Sequence, residues 1–455
     1  MSFTWQAQPR QMAFLERQED EVLFGGARGG GKTDALVAYM VLRASKYPKS
    51  THLILRREWV DLVKAGGAVS RMQEFVGSQW SWHGQYRRFT APNGSTIEFG
   101  HCKEEEDRRQ YQGAQYHTVG FEEATQFSDT QYYSITGSLR SSRIDVPTRI
   151  RLTGNPGGVG HGWVKKRFID PFPAGNVTIT EKDTGLTISF IPSKVFDNRA
   201  LTEADPRYIA RLKALPSSLR DAWLNGSWDV FEGQVFTEFD PPTHVLDPVS
   251  IPSHWRRIIA LDYGFNAPFC ALWMAQDPDT YEVLVYRELY NTGQRDRVQA
   301  QSIIKAMGPK ERNQISMVIA DPSMWARKGE NEVSPADIYI KEGLSLVPAK
   351  NSRLHGKMRV HEFLAPEPRP LLRIFTPCVN LIRTLPTLVY DDKRVEDVNT
   401  RTEDHAYDAL RYGLMALSRR PLGSFQMRMT EDLGDPIRDA QDQEAQRRMY
   451  EIART

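Results

Sequence analysis

The feature that most constrains the fold is a glycine-rich GxxxxGK(S/T) sequence, the Walker A pattern, near the start of the chain. It follows the apolar run 22–24, which is typical of a buried strand, and it precedes a helical pattern at 34–43. In a strand–loop–helix unit of this kind, backbone N–H groups and the helix N-terminus converge on phosphate oxygens. The loop residues are Gly26, Ala27, Arg28, Gly29, Gly30, Gly31, Lys32 and Thr33.

This loop predicts binding of ATP together with Mg²⁺. Lys32 is placed to reach the β- and γ-phosphates, and Thr33 is placed to ligate the metal. Gln11 precedes the loop by about one helix, and its amide is able to read adenine through paired hydrogen bonds. A surface glutamine without a ligand is the alternative for that residue.

Apolar runs alternate with helical stretches through the first half of the chain, which predicts a mainly parallel α/β sheet. The run 118–121 is followed directly by Glu122 and Glu123. A nucleotide hydrolase needs one carboxylate near the metal and one to orient the attacking water, and these roles suit Glu122 and Glu123 respectively. A pair of solvated surface glutamates is the alternative.

A further strand, 149–152, leads into Thr153, Gly154 and Asn155. Small polar side chains at the carboxyl end of a strand lie where an α/β sheet meets its ligand. The segment is therefore a candidate for sensing the γ-phosphate and coupling its loss to movement. An ordinary Asn–Pro turn is the alternative.

The 455 residues predict two or three domains. Residues 229–252 are rich in proline and show little periodicity, as expected of a connection between domains. We predict a nucleotide-binding domain at 1–228, in which about 156–228 forms a small helical lid subdomain. A second domain is predicted at 253–420, and a mobile or partner-binding tail at 421–455.

The second domain carries acidic residues in the order expected of an RNase H-like nuclease. Asp262 and Asp321 each end an apolar strand, and Asp404 and Asp408 share one face of a late helix. Such carboxylates can hold paired Mg²⁺ or Mn²⁺ ions. Turn formation or helix capping is the alternative for each residue taken alone, above all for Asp404.

Composition and charge limit which other classes of protein this chain can belong to. The net charge is only +2, so a polyanion must be met by local basic patches. The three cysteines are far apart, which argues against a disulfide framework and a zinc cluster. Apolar runs are too short to span a membrane, and we expect a protein that is not secreted. Candidates for holding a DNA backbone are Lys350, Arg353, His355, Lys357 and Arg359, with a solvated basic face as the alternative.

Taken together, these motifs resemble the large terminase subunit of tailed bacteriophages, over about residues 5–420. The resemblance is carried by an arginine before the loop glycines, by the segment 153–156, by the junction 226–236 and by the acidic pattern 404–412. The family often has Asp before Glu in its second ATPase motif, whereas this chain has Glu122 and Glu123.

The resemblance implies an N-terminal P-loop ATPase domain followed by an RNase H-like nuclease domain. It implies ATP-driven translocation of double-stranded viral DNA into a procapsid and metal-dependent cutting of concatemers. Expected partners are the portal protein, a small terminase subunit and further copies of this chain in a ring, in the host cytoplasm at the portal vertex. Arg28 is expected to contact the γ-phosphate, and Arg140 is the favoured arginine finger for a neighbouring subunit.

Two alternatives remain open from the sequence. One is a helicase-like or repair ATPase joined to a nuclease that acts without a capsid. The other is an ATP-dependent DNA clamp whose nuclease fold is inactive.

Overall fold

Two β-sheets, one in each half of the chain, organise the protein. The computed structural model describes residues 5–215, 220–229, 231, 233–327, 333–365, 369–391, 394 and 396–417. The predicted tail at 421–455 lies outside the described residues. Those up to Leu417 belong to one compact unit that contains both sheets.

The first sheet has nine strands. They are β1 Glu21–Gly26, β2 Thr51–Arg56, β3 Ser81–His83, β4 Arg88–Thr90, β5 Thr96–His101, β6 Thr118–Phe121, β7 Arg149–Gly154, β8 Thr178–Thr180 and β9 Thr187–Ser193. Their order is β3-β4-β5-β2-β6-β7-β1-β9-β8. The six strands from β5 to β9 in this order are parallel, whereas β3, β4 and β8 are antiparallel additions at the edges.

Both faces of this sheet are buried. Along β1, Val22 and Phe24 pack into one core, and Leu23 packs into the core on the opposite face. Burial on two faces explains why the strands read as continuous apolar runs. The helices of this half are α1 Pro9–Glu16, α2 Lys32–Lys46, α3 Trp59–Val63, α4 Ala68–Val76, α5 Asp129–Thr136, α6 His161–Val164, α7 Arg199–Ala204 and α8 Pro206–Lys213.

The segment 156–228 differs from the helical subdomain that the sequence predicted. It contains β8 and β9, and β9 pairs in parallel with β1, next to the glycine-rich loop. Polar Thr187 and Ser189 alternate with apolar Ile188 and Phe190, which suits a strand, but the turn-rich surroundings hide this signal. The helical parts are α6, α7, α8 and two π-helical turns at Lys165–Ile169 and Asp221–Asn225.

The second sheet has seven strands. They are β10 Val245–Leu246, β11 Arg256–Asp262, β12 Phe269–Gln276, β13 Val283–Asn291, β14 Ile315–Ala320, β15 Leu346–Pro348 and β16 Leu372–Phe375. The order is β10-β16-β13-β12-β11-β14-β15, with β12 antiparallel to both neighbours and β14 parallel to β11. The run β13-β12-β11-β14-β15 is the RNase H-like arrangement, which confirms the predicted fold class.

Helices cover both faces of the second sheet. Ile258 and Ala260 share a core with the helix that ends the described chain, whereas Ile259 and Leu261 face the opposite core. The segment 229–252 contributes Val235 and Phe236 to the first of these cores. The helices are α9 Pro241–His244, α10 Asp296–Arg312, α11 Pro335–Lys341, α12 Arg353–Leu364, α13 Val379–Thr384 and α14 His405–Ala416. Within the described ranges, no helix is long and apolar enough to cross a membrane.

Gly226 directly follows the π-helical turn and provides a test of how that turn meets the glycine-rich loop. It has φ +73°, and a Cβ there would lie 2.7 Å from the Ser193 carbonyl oxygen and 2.8 Å from the Ala27 nitrogen. Gly185 has φ +71° but open space around it. We expect Gly226→Ala to lower the free energy of unfolding by roughly 3 kcal/mol and Gly185→Ala by roughly 1 kcal/mol, in urea titrations. Equal losses would show that the close approach is not rigid.

Candidate active sites

The ends of three parallel strands bring the first group of candidate residues together. The strands β1, β7 and β6 are neighbours, so their carboxyl ends share one edge of the sheet. The glycine-rich loop follows β1, the acidic pair follows β6, and the segment 153–155 lies at the end of β7. This is the edge at which α/β sheets bind ligands.

Glycine conformations and hydrogen bonds from neighbouring residues fix the backbone of the glycine-rich loop. Gly29 and Gly31 have φ of 75° and 72°, a conformation that glycine adopts without steric cost. The Ala27 nitrogen donates to the Ser193 carbonyl oxygen at 2.8 Å, and the Asn198 amide donates to the Gly29 carbonyl oxygen at 2.7 Å. The segment after β9 thus fixes the shape of the loop from outside.

Lys32 is buried at the start of α2, and its ammonium donates to the Ala27 carbonyl oxygen. Burial lowers the pKa of Lys32 to about 8, and the positive charge of Arg28 acts in the same direction, whereas Glu123 opposes the shift. A phosphate group bound in the loop would favour the charged form of this lysine. The environment therefore suits a lysine whose partner is a polyanionic ligand.

Thr33 and Glu122 form the pair expected of a magnesium site. The Thr33 hydroxyl donates to the Glu122 carboxylate at 2.6 Å, and Arg56 lies 3.7 Å from the same oxygen. Burial raises the pKa of Glu122, while Arg56 and Thr33 oppose the shift. The other Glu122 oxygen is buried without a hydrogen-bond partner. A hydroxyl and an incompletely satisfied carboxylate fit Mg²⁺, which prefers oxygen ligands.

Glu123 is joined to the segment after β7. Its carboxylate accepts hydrogen bonds from the Asn155 backbone nitrogen at 3.0 Å and from the Asn155 side-chain amide at 2.7 Å. Its backbone is left-handed, with φ 54°, which is uncommon for a residue with a side chain. Its nitrogen also donates to the Thr153 hydroxyl at 3.4 Å. The candidate catalytic carboxylate and the candidate coupling segment are therefore in direct contact.

Three further residues were predicted to contact a nucleotide, and only some of them lie near the glycine-rich loop. Gln11 is buried, and its amide donates to the Gly31 carbonyl oxygen at 2.7 Å, so it is not the surface glutamine of the alternative interpretation. The Arg28 guanidinium lies 3.3 Å from the centre of the Trp223 ring. Arg140 donates to the Gly113 carbonyl oxygen at the amino end of β6, so the structure does not bring it to the loop of its own chain.

His161 is a candidate functional residue near the segment 153–155 that the sequence analysis did not identify. It is fully buried at the start of α6, accepts a hydrogen bond from the Gly157 nitrogen at 3.0 Å and lies 3.1 Å from the Trp228 carbonyl oxygen. Burial lowers its pKa to about 3, with Lys165 adding to the shift. This neutral ring ties the end of the 153–157 segment to the junction at Trp228. A lone histidine among glycines carries no spacing signal that would have identified it.

The second group of candidates lies on the second sheet. Asp262 ends β11 and Asp321 follows β14, its parallel neighbour, so both lie at one edge. Asp404 is the N-cap residue of α14 and makes no capping hydrogen bond with its side chain. Asp408 lies one turn further along that helix. The RNase H-like order that the sequence predicted is therefore present.

Asp262 is a buried carboxyl with a histidine partner. Its oxygen lies 3.0 Å from the His405 ring nitrogen. Burial raises the pKa of Asp262 to about 7, and the negative charges of Asp408 and Asp321 push in the same direction, whereas His405 opposes the shift. Burial likewise raises the pKa of Asp404 to about 8, with Asp408 as the next cause. These groups share one electrostatic environment that disfavours further negative charge.

The carboxylates are nevertheless paired with cationic or hydroxyl groups of the protein. Asp408 contacts Arg411 at 2.9 Å and Arg353 at 3.5 Å, and Asp321 accepts from the Ser323 nitrogen and hydroxyl. Over the described ranges, no three Asp, Glu, His or Cys side chains stand close enough to hold a metal ion. The donor chemistry fits Mg²⁺ or Mn²⁺, but ligation requires these side chains to turn from their present partners.

The structure corrects part of the predicted DNA contact. Lys357 and Arg359 are buried, and they donate to backbone carbonyls of Glu396 and Leu414 respectively, so neither is available to a DNA backbone. A helical period of 3.6 residues turns part of any basic run inward. Lys350 and His355 are exposed, and Arg353 is partly exposed.

Glu288 has a structural role. Its carboxylate accepts hydrogen bonds from the Asn380 nitrogen at 3.0 Å, the Asn380 amide at 2.7 Å and the Leu381 nitrogen at 2.7 Å. These donors lie in the first turn of α13, where backbone N–H groups lack partners within the helix. Glu288 therefore holds α13 against β13.

The two sheets and their sites define the class of protein: a P-loop ATPase fold joined in one chain to an RNase H-like nuclease fold. Residues 17–218 match the phage terminase large subunit family. This match confirms the resemblance to the large terminase subunit that the motifs indicated.

Individual relatives are distant. The large terminase subunit of Escherichia phage T5 is 24% identical over 206 residues, which cover 42% of this chain and 44% of that protein, so the match spans less than half of that relative. The large terminase of a thermophilic bacteriophage has a TM-score of 0.42 at 17% identity, covering 90% of this chain and 98% of that chain. The bacteriophage HK97 large terminase has a TM-score of 0.45 at 11% identity, covering 90% and 95%.

The buried neutral state of His161 predicts a pH dependence of stability. Its pKa is about 3 in the folded chain and about 6.5 when unfolded, so its stabilising effect is complete above pH 6.5 and is lost as the pH falls toward 3. We expect His161→Gln to reduce the loss of unfolding free energy between pH 6.5 and 4.5 by about 2 kcal/mol. Urea titrations measure this slope. The exposed His355→Gln is the control, and equal slopes in both variants would contradict the assignment.

Proposed function

We propose that this chain is a large terminase subunit that moves double-stranded viral DNA into a procapsid with ATP and cuts concatemeric DNA with divalent metal ions. The observation that carries the proposal is the contact of Glu123 with Asn155 beside the phosphate loop. It joins a candidate hydrolytic residue to a candidate coupling segment. The acidic cluster on the RNase H-like sheet adds the second activity.

In this proposal the ATPase half acts through groups at the carboxyl ends of β1, β6 and β7. Loop N–H groups and Lys32 bind the phosphates, and Glu123 orients the attacking water. Thr33 and Glu122 would hold Mg²⁺, which neutralises charge on the phosphate oxygens. Loss of the γ-phosphate changes the contacts of Glu123, and Asn155 carries that change along the chain toward His161 and the junction.

The nuclease half would use Asp262, Asp321 and Asp408, with Asp404 as a further ligand. These residues would hold one or two Mg²⁺ or Mn²⁺ ions, which activate water and stabilise the leaving oxygen. The raised pKa values of Asp262 and Asp404 support this role, because a divalent ion favours the ionised form of such buried carboxylates.

The proposed partners follow from the family. A motor must hold DNA of any sequence, so its affinity should be electrostatic and fall steeply with salt. We propose a ring of copies on the portal protein in the host cytoplasm, with a small terminase subunit selecting the start site. Arg140 is exposed in the single chain, and we propose that in such a ring it acts on a neighbouring subunit's nucleotide. Purified procapsids and ATP test packaging directly, and strand separation on forked DNA would instead indicate a helicase-like enzyme.

The clamp alternative has one observation in its favour, namely that both oxygens of Asp408 face arginines. A clamp would bind DNA in the presence of ATP and leave it intact with every divalent metal.

The candidate ATP site predicts that substitutions within it lower the ATPase rate but leave nuclease activity unchanged. Lys32→Ala removes the phosphate-binding charge, and Glu123→Gln removes the group that orients water, so each should lower the ATPase rate by at least about 10²-fold. Nuclease activity should remain in both variants. Glu58, a partly exposed residue after β2 that pairs with Lys103, provides the control Glu58→Gln, for which we expect an unchanged rate. Normal ATP turnover in Lys32→Ala or Glu123→Gln would refute this site.

The candidate nuclease site predicts that a substitution within it lowers DNA cutting but leaves ATPase activity unchanged. Asp262→Asn keeps the shape of the side chain but removes its charge, so plasmid cutting with Mg²⁺ or Mn²⁺ should fall by at least about 10²-fold while ATPase activity persists. Asp279→Asn, in the exposed β12–β13 turn, is the matched control. Agarose gels measure the cutting. An intact plasmid with the unsubstituted protein would favour the clamp.

A further inference from the structure

Arg353 lies among three carboxylates. Its Nε donates to both oxygens of Asp397, at 3.0 and 2.9 Å. Its terminal nitrogens lie 3.8 Å from Asp404 and 3.5 Å from Asp408. One guanidinium group thus contacts two candidate metal ligands, Asp404 and Asp408, and also Asp397, which is not a candidate ligand.

The two arginines at Asp408 differ in how firmly they are held. Arg411 is 1% exposed, and a Cβ on Gly356 would lie only 2.3 Å from its Cγ, so its stem fills the space that this glycine leaves. Arg353 has a side chain that is 24% exposed, and its contacts with Asp404 and Asp408 are longer than hydrogen bonds. Arg353 is therefore the cation that can leave.

We propose that Arg353 is the resident cation of the candidate nuclease site, and that a divalent metal ion binds only when this guanidinium withdraws from Asp404 and Asp408. The inference rests on the proposed nuclease function. Arg353 is a positioning residue here, since it acts through the ligands and not on the DNA bond.

The geometry keeps the free-energy cost of exchanging Arg353 for a metal ion small. Asp404 is buried and Asp408 largely so, and ionising both without a nearby cation would set two negative charges against each other. Arg353 supplies the countercharge when no metal is bound. When a metal replaces it, the hydrogen bonds to Asp397 and to the Val398 carbonyl oxygen can keep the guanidinium nearby. The acidic cluster is thus neutralised in both states, and metal affinity is reduced by competition.

Metal binding without any turnover tests this inference. Calorimetric titration with Mn²⁺ should give about tenfold tighter binding for Arg353→Met than for the unsubstituted chain, because methionine keeps apolar bulk but removes the competing charge. In EDTA the same variant should unfold at a lower temperature, since the carboxylates lose their countercharge. Its melting temperature should then rise more with Mn²⁺ than that of the unsubstituted chain.

Control variants separate the possible outcomes. Arg297→Met removes an exposed arginine that pairs with Glu342 and should change neither readout. Asp262→Asn in the Arg353→Met background should abolish the tight Mn²⁺ site. If the unsubstituted chain binds Mn²⁺ through Asp262 but Arg353→Met binds no tighter, the inference is wrong and the nuclease proposal stands. If neither binds Mn²⁺ at Asp262, both are wrong.

Discussion

Parallel pairing of neighbouring strands is the constraint on which both candidate sites depend. In the first sheet, β1, β7 and β6 end at one edge, and this alone brings the phosphate loop to the acidic pair and to Asn155. In the second sheet, β11 and β14 do the same for Asp262 and Asp321. Residues far apart in sequence meet because strands of one direction end together, and the helices and loops refine that placement.

The two sites neutralise their buried acids in different ways. At the first site, the Thr33 hydroxyl and Arg56 contact Glu122 but leave one oxygen without a partner. At the second, arginines and a histidine stand against Asp408 and Asp262. An isolated buried charge is costly, so each carboxylate needs a partner when no metal is bound. The first site is thus arranged to accept an ion directly, whereas the second must exchange one cation for another.

Much of this could be predicted from local sequence. The loop at Gly26–Thr33 and the strand that precedes it follow from a spacing with a clear physical reason, and apolar runs ending in Asp262 and Asp321 indicated the second sheet. The helical lid prediction missed β9, because the glycine- and proline-rich turns before it and the helical pattern after it outweighed the alternation in this strand. The roles of His161 and Arg353 depend on contacts across long stretches of chain, which no local pattern encodes.

We propose that one chain holds two separate metal-dependent centres. Crystals grown with Mn²⁺ and a non-hydrolysable ATP analogue test it most directly through anomalous scattering. We expect one Mn²⁺ peak beside Thr33 and Glu122, and at least one more between Asp262 and Asp408. A map with nucleotide and metal in the loop but no peak at the second sheet would contradict the account and leave an ATPase with a silent nuclease fold.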